Sequence, residues 1–283
     1  MTIKQYLNTI ERIRKFHDSN KCLLVGRHLF WQIRKLFKFY PTEYLVSKSR
    51  IYDLKKGCGA SALLYIFGEY DYNNMNLIKL LLINKKVFFD VGANIGIYTL
   101  IASEIQSAKV FAFEPHPGTY KFLKINVNKN RRKNIKTFKV ALGLENRLVS
   151  MTDYNDDSIN KIVASDSGSV IAHMIRGDEF CKRQKVTPDI IKIDTEGSEL
   201  QVLYGFGENL KNASVVFIEI NQNNSDINKR IIIKHMLTNN FIGPYKFDFE
   251  KRILLRYSKS FEDDVFISKK ALPKFNELGI KFQ

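Results

Sequence analysis

The chain has 283 residues, 45% of them hydrophobic, and its 45 Lys and Arg outnumber 29 Asp and Glu to give a formal net charge of +16. That is enough chain and apolar content for one large domain, or one domain with an appendage, and the charge suits an anionic partner such as nucleic acid, a membrane surface or a phosphorylated substrate. Cys22, Cys58 and Cys181 form no Cys-x-x-Cys pair, which argues against a disulfide framework or a thiolate zinc site and fits a reducing cytoplasm. No apolar run approaches the ~20 residues of a membrane span, and the N-terminus lacks the apolar core of a signal peptide.

Residues 1–40 are basic, with nine Lys and Arg against Glu11 and Asp18. Leu29, Phe30, Ile33, Leu36, Phe37 and Tyr40 recur near helical spacing, and Pro41 stops the pattern. Such a helix is expected to pack its aromatic stripe on the main domain. The alternative is peripheral contact with a membrane or an anionic lipid-linked substrate. Gly57-Cys58-Gly59 reads as a turn, and residues 61–70 and 76–83 read as helices.

The run Val87-Phe88-Phe89-Asp90-Val91 reads as a strand closing on an acid, followed by Gly92-Ala93-Asn94-Ile95-Gly96 and a helix over 97–102. Two glycines let the backbone turn tightly and let a ligand approach. A dinucleotide fingerprint would need glycine at position 94, which is Asn94, and no P-loop lysine follows. An acid and a Gly-x-x-x-Gly turn suit a ligand without a pyrophosphate, such as S-adenosylmethionine. A second strand, 109–113, ends in Glu114, followed by Pro115, His116 and Pro117 and a helix over 120–127. Residues 135–140 read as a third strand running into Ala141-Leu142-Gly143. Further strands are expected at 149–151 and 170–175, joined by a polar loop over 153–168.

Residues 189–193 form a clear buried strand ending in Asp194-Thr195-Glu196-Gly197, with a helix over 198–204. The strand 215–218 ends in Glu219, and a helix is expected over 227–237. Residues 245–249 and 252–256 read as an antiparallel pair, and 265–268 as a last strand. This alternation predicts a parallel sheet covered on both faces, with an antiparallel edge and its ligand site beyond the carboxyl ends of the strands. Asp90, Glu114 and Asp194 should converge there.

Glu114 lies 18 residues beyond Gly96, where a carboxylate can accept hydrogen bonds from both hydroxyls of an adenosine ribose. Its other reading is a helix cap. Asp194 and Glu196 are candidate general bases for a hydroxyl acceptor, or else a helix cap and a structural acid. His116 is a weaker catalytic candidate, and His173 reads as a core histidine. No His has neighbours at metal spacing, so no metal is expected. Asn221-Gln222-Asn223-Asn224 is not the Asn-Pro-Pro-Tyr that holds a flipped base. Arg131-Arg132-Lys133, with Lys129 and Lys136, lacks interleaved aromatics and reads as a solvated loop, so nucleic acid is not the expected partner.

Phe89-Asp90-Val91-Gly92-Ala93-Asn94-Ile95-Gly96-Ile97-Tyr98-Thr99, Ala112-Phe113-Glu114-Pro115, Ala141-Leu142-Gly143 and Ile191-Lys192-Ile193-Asp194-Thr195-Glu196-Gly197-Ser198-Glu199-Leu200 together resemble the FkbM-type methyltransferases over roughly residues 86–222. The resemblance implies a class I methyltransferase Rossmann-like α/β fold. Its mostly parallel seven-stranded sheet would span residues 76–283, with a basic helical extension over 1–75. It implies S-adenosylmethionine as cofactor. Asp90, Gly92, Ala93, Asn94 and Gly96 match the cofactor loop, Glu114 the ribose acid and Ala141 a further cofactor position. Asp194, Glu196 and Gly197 match the second motif, and Asp178 a commonly acidic site before it. His116 stands where Asn is more usual, and Thr-Leu is missing before Asp178. The implied activity is O-methylation, with a sugar hydroxyl of a cell-surface glycan or its precursor as acceptor, in the cytoplasm or at the inner face of the membrane. The rivals are an RNA methyltransferase and a methyltransferase-like binding protein without catalysis.

Overall fold

A computed structural model describes residues 21–37, 43–52, 59–68, 71–84, 86–154, 160–163, 168–220, 226–256 and 263–283. The stop at Pro41, the turn at 57–58, most of the 153–168 loop and Asn221–Asn224 lie outside the described residues, as do residues 1–20.

Helix α1 (Lys21–Leu36) is followed by a hairpin of β1 (Tyr44–Val46) and β2 (Ser49–Ile51), then by α2 (Gly59–Phe67) and α3 (Tyr72–Leu81). The central alternation is β3 (Val87–Val91), α4 (Ile97–Ser103), β4 (Lys109–Phe113), α5 (Pro117–Lys129) and β5 (Ile135–Phe138). Four short strands come next: β6 (Ala141–Gly143), β7 (Arg147–Met151), β8 (Ile162–Val163) and β9 (Val170–Arg176). The chain then forms α6 (Gly177–Gln184), β10 (Ile190–Ile193), α7 (Glu199–Phe206), β11 (Val215–Ile218) and α8 (Asp226–Thr238). It ends with β12 (Phe241–Asp248), β13 (Ile253–Leu255), β14 (Asp264–Ser268), α9 (Leu272–Glu277) and β15 (Lys281–Phe282).

The main sheet has the order β15-β13-β12-β14-β11-β10-β3-β4-β5. From β11 to β5 every neighbour is parallel, so β3 and β10 are interior strands. Their residues are apolar on both faces because helices cover both sides. Phe88, Ile190 and Phe217 enter one core with Leu77, Leu100 and Ile101. Phe89, Ile191 and Val216 enter the other with Phe113, Phe180 and Phe206. That two-residue alternation places Asp90 and Lys192 on one face, directly opposite each other in the register.

The expected seven strands form the body of this sheet, and β13 and β15 extend it at one edge. The antiparallel edge expected from the sequence is at that side, where β12 and β13 pair antiparallel. β14 inserts between β11 and β12, antiparallel to both. Strands β6 to β9 leave the main sheet and form a separate one, in the order β6-β9-β7-β8. In β9 the period of two turns Ala172 and Met174 inward, so His173 is exposed rather than a core residue. Helix α6, not expected from the sequence, leaves little apolar signal because its buried apolar side chains are only Phe180 and Cys181.

The N-terminal elements are fastened to this frame. Trp31, Tyr44, Val46, Ile51 and Leu64 share a core with Phe88 and Leu100. Glu104, just past α4, accepts hydrogen bonds from Ser47 Oγ (2.7 Å), Lys48 N (2.8 Å) and Ser49 Oγ (2.9 Å). Glu104→Ala should therefore lower stability by about 1–2 kcal/mol, since several bonds to one partly exposed carboxylate go together. A lower urea midpoint at an unchanged slope would register the loss, and an unchanged midpoint would show that the hairpin docks by its apolar contacts alone.

Candidate functional site

The carboxyl ends of β3, β4, β10 and β11 meet in one region. After β3 the chain turns through Gly92 (φ 82°), Asn94 (φ 50°) and Gly96 (φ 93°). A Cβ at Gly92 would lie 1.8 Å from the carbonyl oxygen of Asp194, so this glycine lets the loop after β3 touch the loop after β10. A Cβ at Gly96 would come within 2.6 Å of Leu123 in α5. Gly92 N and Ala93 N both donate to Phe113 O, at 3.0 and 2.9 Å. Asn126 of α5, fully buried, donates to Ile95 O at 2.6 Å and holds the turn from behind.

Glu114 closes the turn from the β4 side. Its Oε2 accepts from Asn94 N and its Oε1 from His116 N, each at 2.9 Å. Each carboxylate oxygen has a second lone pair, so these bonds fix the group without exhausting it. Glu114 is not the cap of the following helix. His116 is, its Nδ1 accepting from Thr119 N at 3.3 Å. The His116 ring is buried, and its Nε2 lies 3.2 Å from Asp153 Oδ1. His116 thus stands behind Glu114 as a capping residue. Ala141 is buried with Val149, Ala172 and Met174 in the core of the small sheet.

The second half of the site is a buried charge cluster around Lys192, whose side chain is almost fully enclosed. Its Nζ lies 2.8 Å from Asp194 Oδ2, 3.3 Å from Asp263 Oδ2 and 4.5 Å from the centroid of the Tyr98 ring. Asp90 is buried beside it and accepts from Thr99 Oγ1 at 2.5 Å. Burial pushes the Asp90 carboxyl up to about 6, against the pull of Lys192 and the Thr99 hydrogen bond. Burial likewise raises Asp263. Glu219 and Asp194 share a hydrogen bond and split in opposite directions. Burial first, then the Asp194 charge, lifts Glu219 well above the carboxylate range, whereas Lys192 and two hydrogen bonds outweigh burial and hold Asp194 low. The direction of that split favours the proton on Glu219 and the charge on Asp194.

Asp194 does not cap α7, where Ser198 holds the cap position. Buried Glu199 instead holds the turn, with Oε1 accepting from Thr195 N, Thr195 Oγ1 and Gly197 N, each at 3.0 Å. Glu196 takes the left-handed conformation (φ 52°) at the tip of that turn. Asp194, Glu196 and Glu219 each bring one oxygen within 4.8 Å of the other two. Such oxygens could also serve a hard divalent cation, a chemistry that a search for histidine spacing does not reveal. Asp178 lies apart from this cluster, paired with Arg176 at 2.5 Å, which lowers its carboxyl.

Lys192, Glu219 and Asp263 join the site only in the folded chain. Glu219 left a signal, since it ends an apolar strand as Asp194 does. Lys192 is one polar residue in a buried strand, and its acidic partners lie far away in sequence.

A sheet of this order, with a glycine turn after its first central strand and acids at the ends of the next three, is the class I methyltransferase arrangement. The family described as Methyltransferase FkbM domain matches residues 90–257, and the chain belongs to it, with S-adenosylmethionine as cofactor. Hexuronic acid methyltransferase AglP of Haloferax volcanii is 33% identical over 136 residues, covering 47% of this chain and 55% of the relative. The chain thus spans about half the length of that relative. Among solved structures, an rRNA methylase from Streptococcus thermophilus is 8% identical with a TM-score of 0.42, covering 68% of this chain and 91% of its own. TYW2 of M. jannaschii, in complex with AdoMet, is 12% identical with a TM-score of 0.39, covering 81% and 88%. Values this low bear on neither activity nor substrate.

The residues present fit the cofactor. Gly92 and Gly96 hold the positive φ that the turn needs, the Glu114 carboxylate stands at its β4 side, and the ionised Asp194 beyond β10 suits a cationic sulfonium.

Proposed function

We propose that the protein is an S-adenosylmethionine-dependent O-methyltransferase whose acceptor is a sugar hydroxyl of a cell-surface glycan or its precursor. The observation that carries this reading is the carboxylate group Asp194, Glu196 and Glu219 at the ends of two interior strands, beside the glycine turn. A hydroxyl must lose its proton as it is methylated, so the site needs a base at this edge. When bound, the cofactor supplies an activated methyl group on a positively charged sulfur. Gly92, Ala93, Asn94 and Gly96 would hold it along the turn, and Glu114 would accept from its ribose hydroxyls.

Asp194 is the proposed base. Lys192 keeps it ionised, and protonated Glu219 donates to it and fixes its orientation. Glu196, at the tip of the same turn, is the second acid within reach of an acceptor. Asp194→Asn removes the ionised oxygen with little change of shape. It should lower kcat by about two to four orders of magnitude with cofactor affinity nearly unchanged. A single-turnover assay checks the rate, and an undiminished rate would move the base to Glu196.

Glu114→Ala should raise the cofactor dissociation constant about tenfold or more, because a hydrogen bond to a charged group is worth ~1.5–3 kcal/mol. Calorimetric titration measures it directly, and an unchanged constant would remove Glu114 from the ribose.

The acceptor class is supported by the family and by the name of the Haloferax relative. The test is transfer of labelled methyl to hydroxyl-bearing and uronic-acid-bearing oligosaccharides. Label on a sugar that withstands mild alkali is the ether expected here. Alkali-labile label would be a methyl ester, and label on RNA alone would replace the reading.

A further inference from the structure

Among the described residues, helix α1 packs on the protein by one face. Leu24, His28 and Trp31, spaced by four and three residues, are buried, and Trp31 packs against Tyr44 and Tyr65 at centroid distances of 6.2 and 5.3 Å. At about 100° per residue the opposite side carries Leu23, Val25, Leu29, Phe30, Ile33 and Phe37. Leu29 is 51% exposed, Phe30 50%, Ile33 49% and Phe37 78%. This is the reverse of the packing expected from the sequence. The protein claims a narrow Leu-His-Trp stripe, and much of the aromatic and aliphatic surface faces outward.

The borders of that outward face are cationic. Arg27 and Arg34 flank one side and Lys21 the other, and the helix contains no acidic residue. Arg34 lies over the rings of Phe30 and Tyr65, 5.4 and 5.5 Å from their centroids, so its stem covers apolar surface. Trp31 and Leu24 hold the 16-residue helix, ~24 Å long, in one rotation about its axis. A contiguous apolar strip between cationic margins, with no acid in the helix itself, matches an interfacial helix.

We propose that α1 docks the protein on an anionic lipid surface, with Leu29, Phe30 and Ile33 entering the headgroup boundary and Lys21, Arg27 and Arg34 meeting lipid phosphates. A second copy of the chain suits this face poorly, because two such helices would bring cationic margins together with no acid on either to pair them. The proposal does not depend on the identity of the methyl acceptor.

The test uses the full-length protein and vesicles of phosphatidylcholine with or without phosphatidylglycerol. Co-sedimentation should require phosphatidylglycerol and should be reversed by salt. Cys22 is exposed on the outward face and Cys181 is buried. A polarity-sensitive dye on Cys22, in a Cys58→Ser background, should shift to the blue on binding. The emission of Trp31, the single tryptophan, should stay constant because its face remains on the protein. Leu29→Glu with Ile33→Glu should cut vesicle binding by about tenfold or more, and Lys21→Glu with Arg27→Glu should do the same, with thermal melting unaltered.

Equal sedimentation with both vesicle types would overturn the proposal, as would retained binding in both double variants. A lipid-free dimer that Leu29→Glu dissociates would give the face to a second copy. A Cys22 thiol protected from reagents in lipid-free monomer would show that residues 1–20 cover it. Either result would overturn it too.

Discussion

Replacing Lys192 with methionine should cost about 3–5 kcal/mol of folding stability at neutral pH, because removing one partner of a buried ion cluster leaves the others uncompensated. Lys192 is the ammonium between Asp194 and Asp263, and it opposes the upward push of burial on Asp90. The sign of the pH dependence follows. Asp90 is raised in the folded state from 3.8 to about 6, so between those values the native protein holds a proton that the unfolded chain has lost. That contribution is fully present below the unfolded value and is lost as pH rises through about 6. Without Lys192, Asp90, Asp194 and Asp263 all move upward, and the window over which stability falls with pH widens. The deficit of Lys192→Met should be smallest near the unfolded carboxylate values, where the orphaned acids take up protons, and should grow toward alkaline pH. Urea unfolding of both proteins at acidic and alkaline pH reads this directly. A deficit that is the same at both would mean lost packing against Tyr98 rather than lost charge.

Gly92→Ala should lower the single-turnover rate of methyl transfer by about a hundredfold, the loss that an ångström's misplacement of reacting groups can bring. It should also destabilise the fold by about 1–3 kcal/mol or more. The Cβ has no place to go. It would sit 1.8 Å from the Asp194 carbonyl oxygen, which belongs to backbone, and the residue holds φ at 82°. The loops after β3 and β10 would have to separate, and with them the cofactor turn and the proposed base. Gly26→Ala is the control, since no atom lies within 4 Å of a Cβ there and the position is helical. That change should be neutral or stabilising by up to ~1 kcal/mol. Equal losses at both positions would mean that glycine flexibility, not the close approach to Asp194, is what matters.

Most of the architecture was legible because its signals are local. Apolar strands of four or five residues, stopped by Gly, Pro or an acid, mark β3, β4, β10 and β11 with small errors at their ends. The placement of β14 was not legible. Nothing in Asp264–Ser268 says that the strand passes β12 and pairs with β11, because that choice depends on which edge remains open after the earlier strands have formed. The small sheet was missed for a similar reason. Its strands have ordinary patterns, and only the pairing of β9 with β6 and β7 removes them from the main sheet.

The site divides in the same way. Gly92, Asn94, Gly96 and Glu114 were readable because a turn needs positive φ within a few residues and a strand-end acid follows at a fixed distance. The sequence by itself thus determined the strand, the glycine turn and the strand-end acid that follows it. The tertiary structure alone decided that Lys192 faces Asp90 across two strands and meets Asp263 from a third segment. It also decided that burial and the Asp194 charge lift the Glu219 carboxyl, and that α1 turns its apolar side outward. Each of those facts is an energy between groups distant in the chain. Charge desolvation and side-chain packing fix such energies only once the fold has brought the groups together.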